Sequence, residues 1–153
     1  MSLATVAAAF ALTAVFPNKY SEQISAAANE FGVDGALVRS VVWAESRFDR
    51  HAVSRKGAMG LMQLMPDTLE ECAAAVGISS PDPFDVTTNL RCGCYYLSLL
   101  ADKFDGDVSA ALMAYNAGEA NARRFLSGDD IFPETAGYLK SVATARKVYG
   151  LIG

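Results

Sequence analysis

One histidine and three cysteines in 153 residues leave little material for metal or nucleophilic chemistry. A site of several histidines is impossible, and a Ser-His-Asp triad would have to be built on His51 alone. The cysteines are Cys72, Cys92 and Cys94, with no Cys-x-x-Cys spacing, so a zinc site is not expected. Two residues apart on a helix, Cys92 and Cys94 point to different faces and should not pair with each other. One of them has the reach to meet Cys72, but small buried hydrophobes is the simpler reading. Positive charge is also short: 13 Lys and Arg stand against 17 Asp and Glu, a net of −4. That argues against a phosphate-backbone binder and, more weakly, against docking on anionic lipid. No cofactor or metal is expected, and no nucleic-acid partner.

No apolar run reaches the length of about 20 residues that spans a bilayer. The nearest is Leu3 to Phe16, stopped by Pro17-Asn18-Lys19. It lacks the charged start of a secretory signal. Residues 1–17 therefore read either as the trimmed end of a membrane anchor or signal, or as an apolar first helix. The first reading is preferred, and it implies possible membrane attachment. Residues 18–153 read as one domain with one core.

What is present is helix. Apolar residues make up 52% and charged residues 20% of the chain, and Ala-rich runs are cut by Gly and Pro. Helices are expected from about Tyr20 to Phe31, stopped by Gly32, and from Asp34 to about Phe48. A turn over Ser54–Gly60 and a short helical piece at Leu61–Leu64 should follow. Pro66 should open a helix that Gly77 ends. Asp85 should open a long one striped by Leu90, Cys94, Leu97, Ala101 and Phe104. Further helices are expected over Val108–Ala117 and Glu119–Leu126. The last should start at Pro133, carry a stripe of Tyr138, Val142, Ala145 and Tyr149, and end at Gly150. Nothing alternates with period two, so an all-α domain with few or no strands is expected.

The chemistry sits on the helix that begins at Asp34. At 100° per residue, Val38 and Val41 share the azimuth of Glu45, flanked by Val42 and Phe48. A carboxyl group on an apolar stripe loses hydration, and its charged form is disfavoured. Such a group stays protonated near neutral pH, as general acid catalysis on a glycosidic oxygen requires. The competing reading is a core Glu held by a partner. No second carboxylate lies on the same face of this helix. Downstream, Gly57 and Gly60 let backbone approach a ligand closely, and Gln63 brings an amide suited to sugar hydroxyls.

Glu45-Ser46-x-Phe48 followed by Ala52-Val53-Ser54-x-x-Gly57-Ala58-x-Gly60-Leu61-Met62-Gln63-x-Met65-Pro66-x-Thr68 resembles the signature of the soluble lytic transglycosylase family. Three more blocks follow in the family's order: Asn89-x-x-x-Gly93-x-x-Tyr96-Leu97, Ala114-Tyr115-Asn116-Ala117-Gly118, and Pro133-Glu134-Thr135-x-x-Tyr138. Each is weak alone; four in order is specific. The resemblance implies a lysozyme-like helical fold and non-hydrolytic cleavage of the β-1,4 bond between N-acetylmuramic acid and N-acetylglucosamine, leaving a 1,6-anhydromuramyl end. It implies that Glu45 is acid and then base. Ser54, Met62, Gln63, Met65, Tyr115, Asn116, Glu134 and Tyr138 would line the groove for peptidoglycan strands. A monomer in the cell envelope, secreted or membrane-anchored, is expected. The alternatives are a goose-type-lysozyme-like hydrolase and a non-catalytic wall-binding module.

Overall fold

The computed structural model describes residues 14–152. Most of the apolar N-terminal segment, residues 1–13, lies outside the described residues. Seven complete helices stand among them: α1 (Ser21–Phe31), α2 (Gly35–Ser46), α3 (Pro66–Ala75), α4 (Val86–Lys103), α5 (Val108–Ala117), α6 (Glu119–Leu126) and α7 (Pro133–Ile152). Only isolated bridges, Val53 with Met59 and Met59 with Leu64, break the all-α pattern among the described residues.

The helix starts follow local chemistry. The carboxylates of Asp34, Asp85 and Asp107 accept from the backbone N–H groups of Ala36, Thr88 and Ala110. Each satisfies an N–H that the helix itself leaves unpaired. Pro66 opens α3, where a missing N–H costs nothing. Gly32 ends α1 at φ 66°, a left-handed conformation that glycine adopts without strain.

Helix α2 is the centre of the molecule, packed along α7 on one side and against α1 on another. Val38, Val41 and Val42 are fully buried beside Ile24, Leu90, Leu97, Val142, Ala145 and Tyr149. Each such side chain contributes roughly 1.5–3 kcal/mol on leaving water, so the rotation of α2 about its axis is fixed. That rotation sets where Glu45 points. Two smaller clusters lie under α5 and α6 and between α3 and α4. The cysteines are free and buried; Cys72 and Cys92 share the α3–α4 cluster, while Cys94 joins the main core. The expected separation of Cys92 and Cys94 therefore holds, and no bridge to Cys72 forms.

Residues 15–17 are tied to the domain through the Phe16 ring and two backbone carbonyls. Phe16 stacks on Trp43 with ring centroids 4.8 Å apart and meets Tyr149 edge-on. Trp43 Nε1 donates to the Val15 carbonyl at 2.9 Å, and Tyr149 Oη donates to the Pro17 carbonyl at 3.0 Å. No described helix is long and apolar enough to cross a membrane.

Three local expectations differ from the structure. Helix α2 stops at Ser46, because Arg47 and Phe48 adopt left-handed φ of 53° and 64°. The chain thereby turns Phe48 into the core, where it is 2% exposed. Leu61–Leu64 forms turns rather than a helical piece, with Gln63 at φ 49°. Helix α7 runs through Gly150 to Ile152. Gly150 is not among the positive-φ glycines, so the left-handed cap that would end the helix does not form.

Candidate active site

Glu45 is the penultimate residue of α2. Its neighbour Ser46 is buried, and Ser46 Oγ lies within hydrogen-bonding distance of the Val42 carbonyl at 3.1 Å and the Leu61 carbonyl at 2.7 Å. The second contact ties the end of α2 to the loop that follows it. That loop is held from several directions. Asn89, on α4 and 1% exposed, accepts from Met62 N–H at 2.8 Å and donates to the carbonyls of Met59 (3.1 Å) and Pro83 (3.0 Å). Tyr115 Oη, on α5, donates to the Met62 carbonyl at 2.8 Å. Gln63 Nε2 donates to the carbonyls of Ala52 (3.0 Å) and Gly60 (2.9 Å). Every polar group of the Asn89 side chain is thus used, and in a buried setting such satisfaction fixes one loop conformation.

The loop, the ends of α2 and α5 and the start of α7 enclose a cleft of about 660 Å³. Glu45, Ser54, Gln63, Met65, Tyr115, Asn116 and Glu134 all line it. A smaller hollow of about 240 Å³ continues past Gln63 and Met65 to Thr68 and Tyr96, so the depression is a trough rather than a hole. His51 is exposed, its ring tilted at 40° to that of Phe84, and it does not line the cleft.

Two of the expected groove residues sit elsewhere. Met62 is fully buried in the main core, and a Cβ on Gly93 would collide with its side chain. It serves the site through its backbone, which Asn89 and Tyr115 grip. The physical reason is the left-handed Gln63 next to it, which turns one side chain inward and the next outward. Tyr138 is 8% exposed and is not among the residues that line the cleft. Its buried hydroxyl neighbours the Glu45 carboxyl without completing a hydrogen bond of full geometry.

The electrostatics follow from these positions. Burial raises the pKa of Glu45 to about 7; the Tyr138 hydroxyl opposes the rise and the Glu134 carboxylate adds to it. Tyr115 is pushed well above the ordinary phenol range, first by burial and then by Glu45, so it stays a neutral donor. Glu134 is exposed and faces Lys56 Nζ at 3.9 Å. Gln63 has both amide hydrogens engaged with backbone, so only its Oε1 remains to face the trough.

Asn89 was legible only as a member of a motif, and its buried clamp role has no local signal. Arg55 and Lys56 line the cleft as well, and nothing in the glutamate helix marks them.

A helical domain with one desolvated acid at the floor of a trough walled by amide, hydroxyl and aromatic groups has the lysozyme-like all-α fold. The Transglycosylase SLT domain family matches residues 22–134, and the chain belongs to that family. Among solved structures, an inactive glutamate-to-glutamine mutant of lytic transglycosylase Slt from Pseudomonas aeruginosa is similar, with 29% identity over 90% of this chain and a TM-score of 0.84. The 70 kDa soluble lytic transglycosylase of Escherichia coli shares 25% identity over 92% of this chain, with a TM-score of 0.85. The same figures hold for a soluble lytic transglycosylase in complex with bulgecin A. This chain spans about a quarter of those proteins, covering 25% of each.

Proposed function

We propose that the protein is a peptidoglycan lytic transglycosylase in which Glu45 is the single catalytic carboxylate. The observation that carries this reading is a carboxyl with its pKa raised by burial to about 7 in a trough that amides, a phenol and a hydroxyl line beside the exposed Glu134, Arg55 and Lys56. The relatives named as lytic transglycosylases support it. So does the inactivity of the Pseudomonas protein once a glutamate becomes glutamine.

The reaction balances without water. Protonated Glu45 gives its proton to the glycosidic oxygen, and the C1–O bond breaks with its electron pair on the leaving sugar. The carbonyl oxygen of the muramyl 2-acetamido group supports the electron-poor C1, the route available where a second catalytic carboxylate is missing. Ionised Glu45 then removes the C6 hydroxyl proton, and O6 closes on C1 to give the 1,6-anhydro ring. Glu45 ends protonated, ready for another cycle. Tyr138, with its hydroxyl against the carboxyl, keeps it oriented; Tyr115 and Asn116 contact the glycan. Because the substrate lies outside the cytoplasmic membrane, the site of action is the cell envelope.

Mass spectrometry of digested peptidoglycan tests the reading. The expected muropeptides are one water lighter than those of a hydrolase. Products with reducing ends would assign the protein as a lysozyme-type hydrolase. Binding to sacculi with no solubilised product would assign it as a wall-binding module. The acid role also fixes a pH dependence. The group must be protonated in the free enzyme, so kcat/KM should fall tenfold per pH unit above about 7. A profile that stays flat to pH 9 would exclude Glu45 as the acid.

A further inference from the structure

The chain is acidic overall, yet two adjacent cations, Arg55 and Lys56, line the cleft beside Glu45. Elsewhere the salt bridges are tight: Arg91 with Glu30 at 2.6 Å, Lys103 with Glu119 at 2.7 Å, Arg124 with Asp129 at 2.8 Å and Arg146 with Asp34 at 2.8 Å. The rim differs. Lys56 holds Glu134 only at 3.9 Å, with both side chains more than three-quarters exposed. Among the described residues Arg55 forms no ion pair. The backbone beneath them is nevertheless rigid. Ser54 N–H donates to the Ala58 carbonyl at 2.9 Å, Gly57 N–H to the Ser54 carbonyl at 3.0 Å, and Ala58 N–H to Ser54 Oγ at 3.0 Å. A firm turn therefore presents two weakly engaged cations to the substrate trough, and Lys56 already faces a carboxylate there.

We propose that Arg55 and Lys56 form an anion-reading rim that selects glycan strands carrying a free carboxylate on a peptide substituent. This rests on the glycan-cleaving reading of the same cleft. A substrate carboxylate takes the place of Glu134 at Lys56 and gains Arg55 as a second partner. A guanidinium offers it two parallel N–H donors. Exposed pairs of this kind are modest and salt-sensitive, so the effect is one of preference rather than of all-or-none recognition.

The test compares two soluble peptidoglycan oligomers that differ only in whether the peptide carboxylates are free or amidated. For the unaltered protein the kcat/KM ratio, free over amidated, should be about fivefold at low salt and approach one at about 0.5 M salt. In R55Q/K56Q it should be about one at either salt. Because it is a ratio, a general loss of folding or catalysis does not move it. A ratio of one in the unaltered protein, or a fivefold ratio surviving in R55Q/K56Q, overturns the proposal. Should neither oligomer be cleaved, the enzymatic reading fails by itself. The same ratio, read as relative Kd by calorimetry, then still decides whether the rim reads carboxylates.

Discussion

Glu45→Gln should abolish turnover while making the protein more stable at alkaline pH. Glutamine keeps the size of the side chain but neither donates nor accepts the transferred proton. General acid–base help by one group is worth about 10²–10⁴-fold. In the proposed mechanism one group serves both halves of the reaction, so a fall of about 10³-fold or more is expected. Binding of glycan oligomers should remain measurable. The stability change comes from the same desolvation. In the folded state the carboxyl titrates near 7, above its ordinary 4.5. Below pH 4.5 both folded and unfolded chains hold the proton, and the group is neutral to stability. Between 4.5 and 7 the unfolded chain releases it first, so stability falls as pH rises; above 7 the full penalty remains. The gap corresponds to about 3 kcal/mol. In a domain of this size, that is a Tm difference of roughly 6–12 °C. Glu45→Gln should thus melt above the unaltered protein at pH 9 and level with it at pH 4. Equal melting at both values, or residual turnover within tenfold, would remove Glu45 from its assigned role.

The sequence exposed the acid because the relevant information is local. Val38, Val41 and Glu45 are bound into one helical stripe by the geometry of the α-helix, and any packing of that stripe carries the carboxyl inward. Helices α5 and α6 were legible to the residue for a similar reason: Gly118 sits between them at φ 87°, a position at which few other residues would be unstrained. In the loop from Ala52 to Met65 the turn over Ser54–Gly60 was legible, but the way the loop is held was not. Its shape comes from Asn89 and Tyr115, which lie 27 and 53 residues from the Met62 groups they bind. No window along the chain contains both ends of those bonds. The inward turn of Met62 has the same origin. Family motifs mark Met62 and Tyr138 as site residues, and neither lines the cleft. Met62 is held through its backbone by Asn89 and Tyr115, and the Tyr138 hydroxyl neighbours the Glu45 carboxyl. Glu134 was named for the groove by its motif and lines the cleft, but its influence on Glu45, 89 positions earlier, arises only in the fold.

Gly60→Ala should unfold the site at its root. At φ 79° any side chain carries a left-handed penalty of about 1–2 kcal/mol. At Gly60 the added carbon would also lie against the Asn89 amide and the Pro83 carbonyl, closer than real contacts allow, with Asn89 Cγ only 2.8 Å away. The carbonyl is backbone and cannot yield cheaply. Relief must come from Asn89, whose amide holds Met59, Pro83 and Met62 together. Leaving those buried groups unpaired costs a further 1–3 kcal/mol or so. The combined loss should be about 2–5 kcal/mol, a Tm fall of roughly 4–20 °C. Catalysis should suffer beyond the melting change, since Gln63, which lines the cleft with Glu45, loses its fixed place. Gly57→Ala separates conformation from collision: φ is 89° there, but nothing lies within 4 Å of the added carbon. It should therefore cost only the left-handed penalty, a Tm fall of a few degrees, and spare most of the activity. If the two alanine variants melt together, Asn89 is not the clamp that shapes the trough, and the loop must be held by the Tyr115 and Gln63 bonds alone.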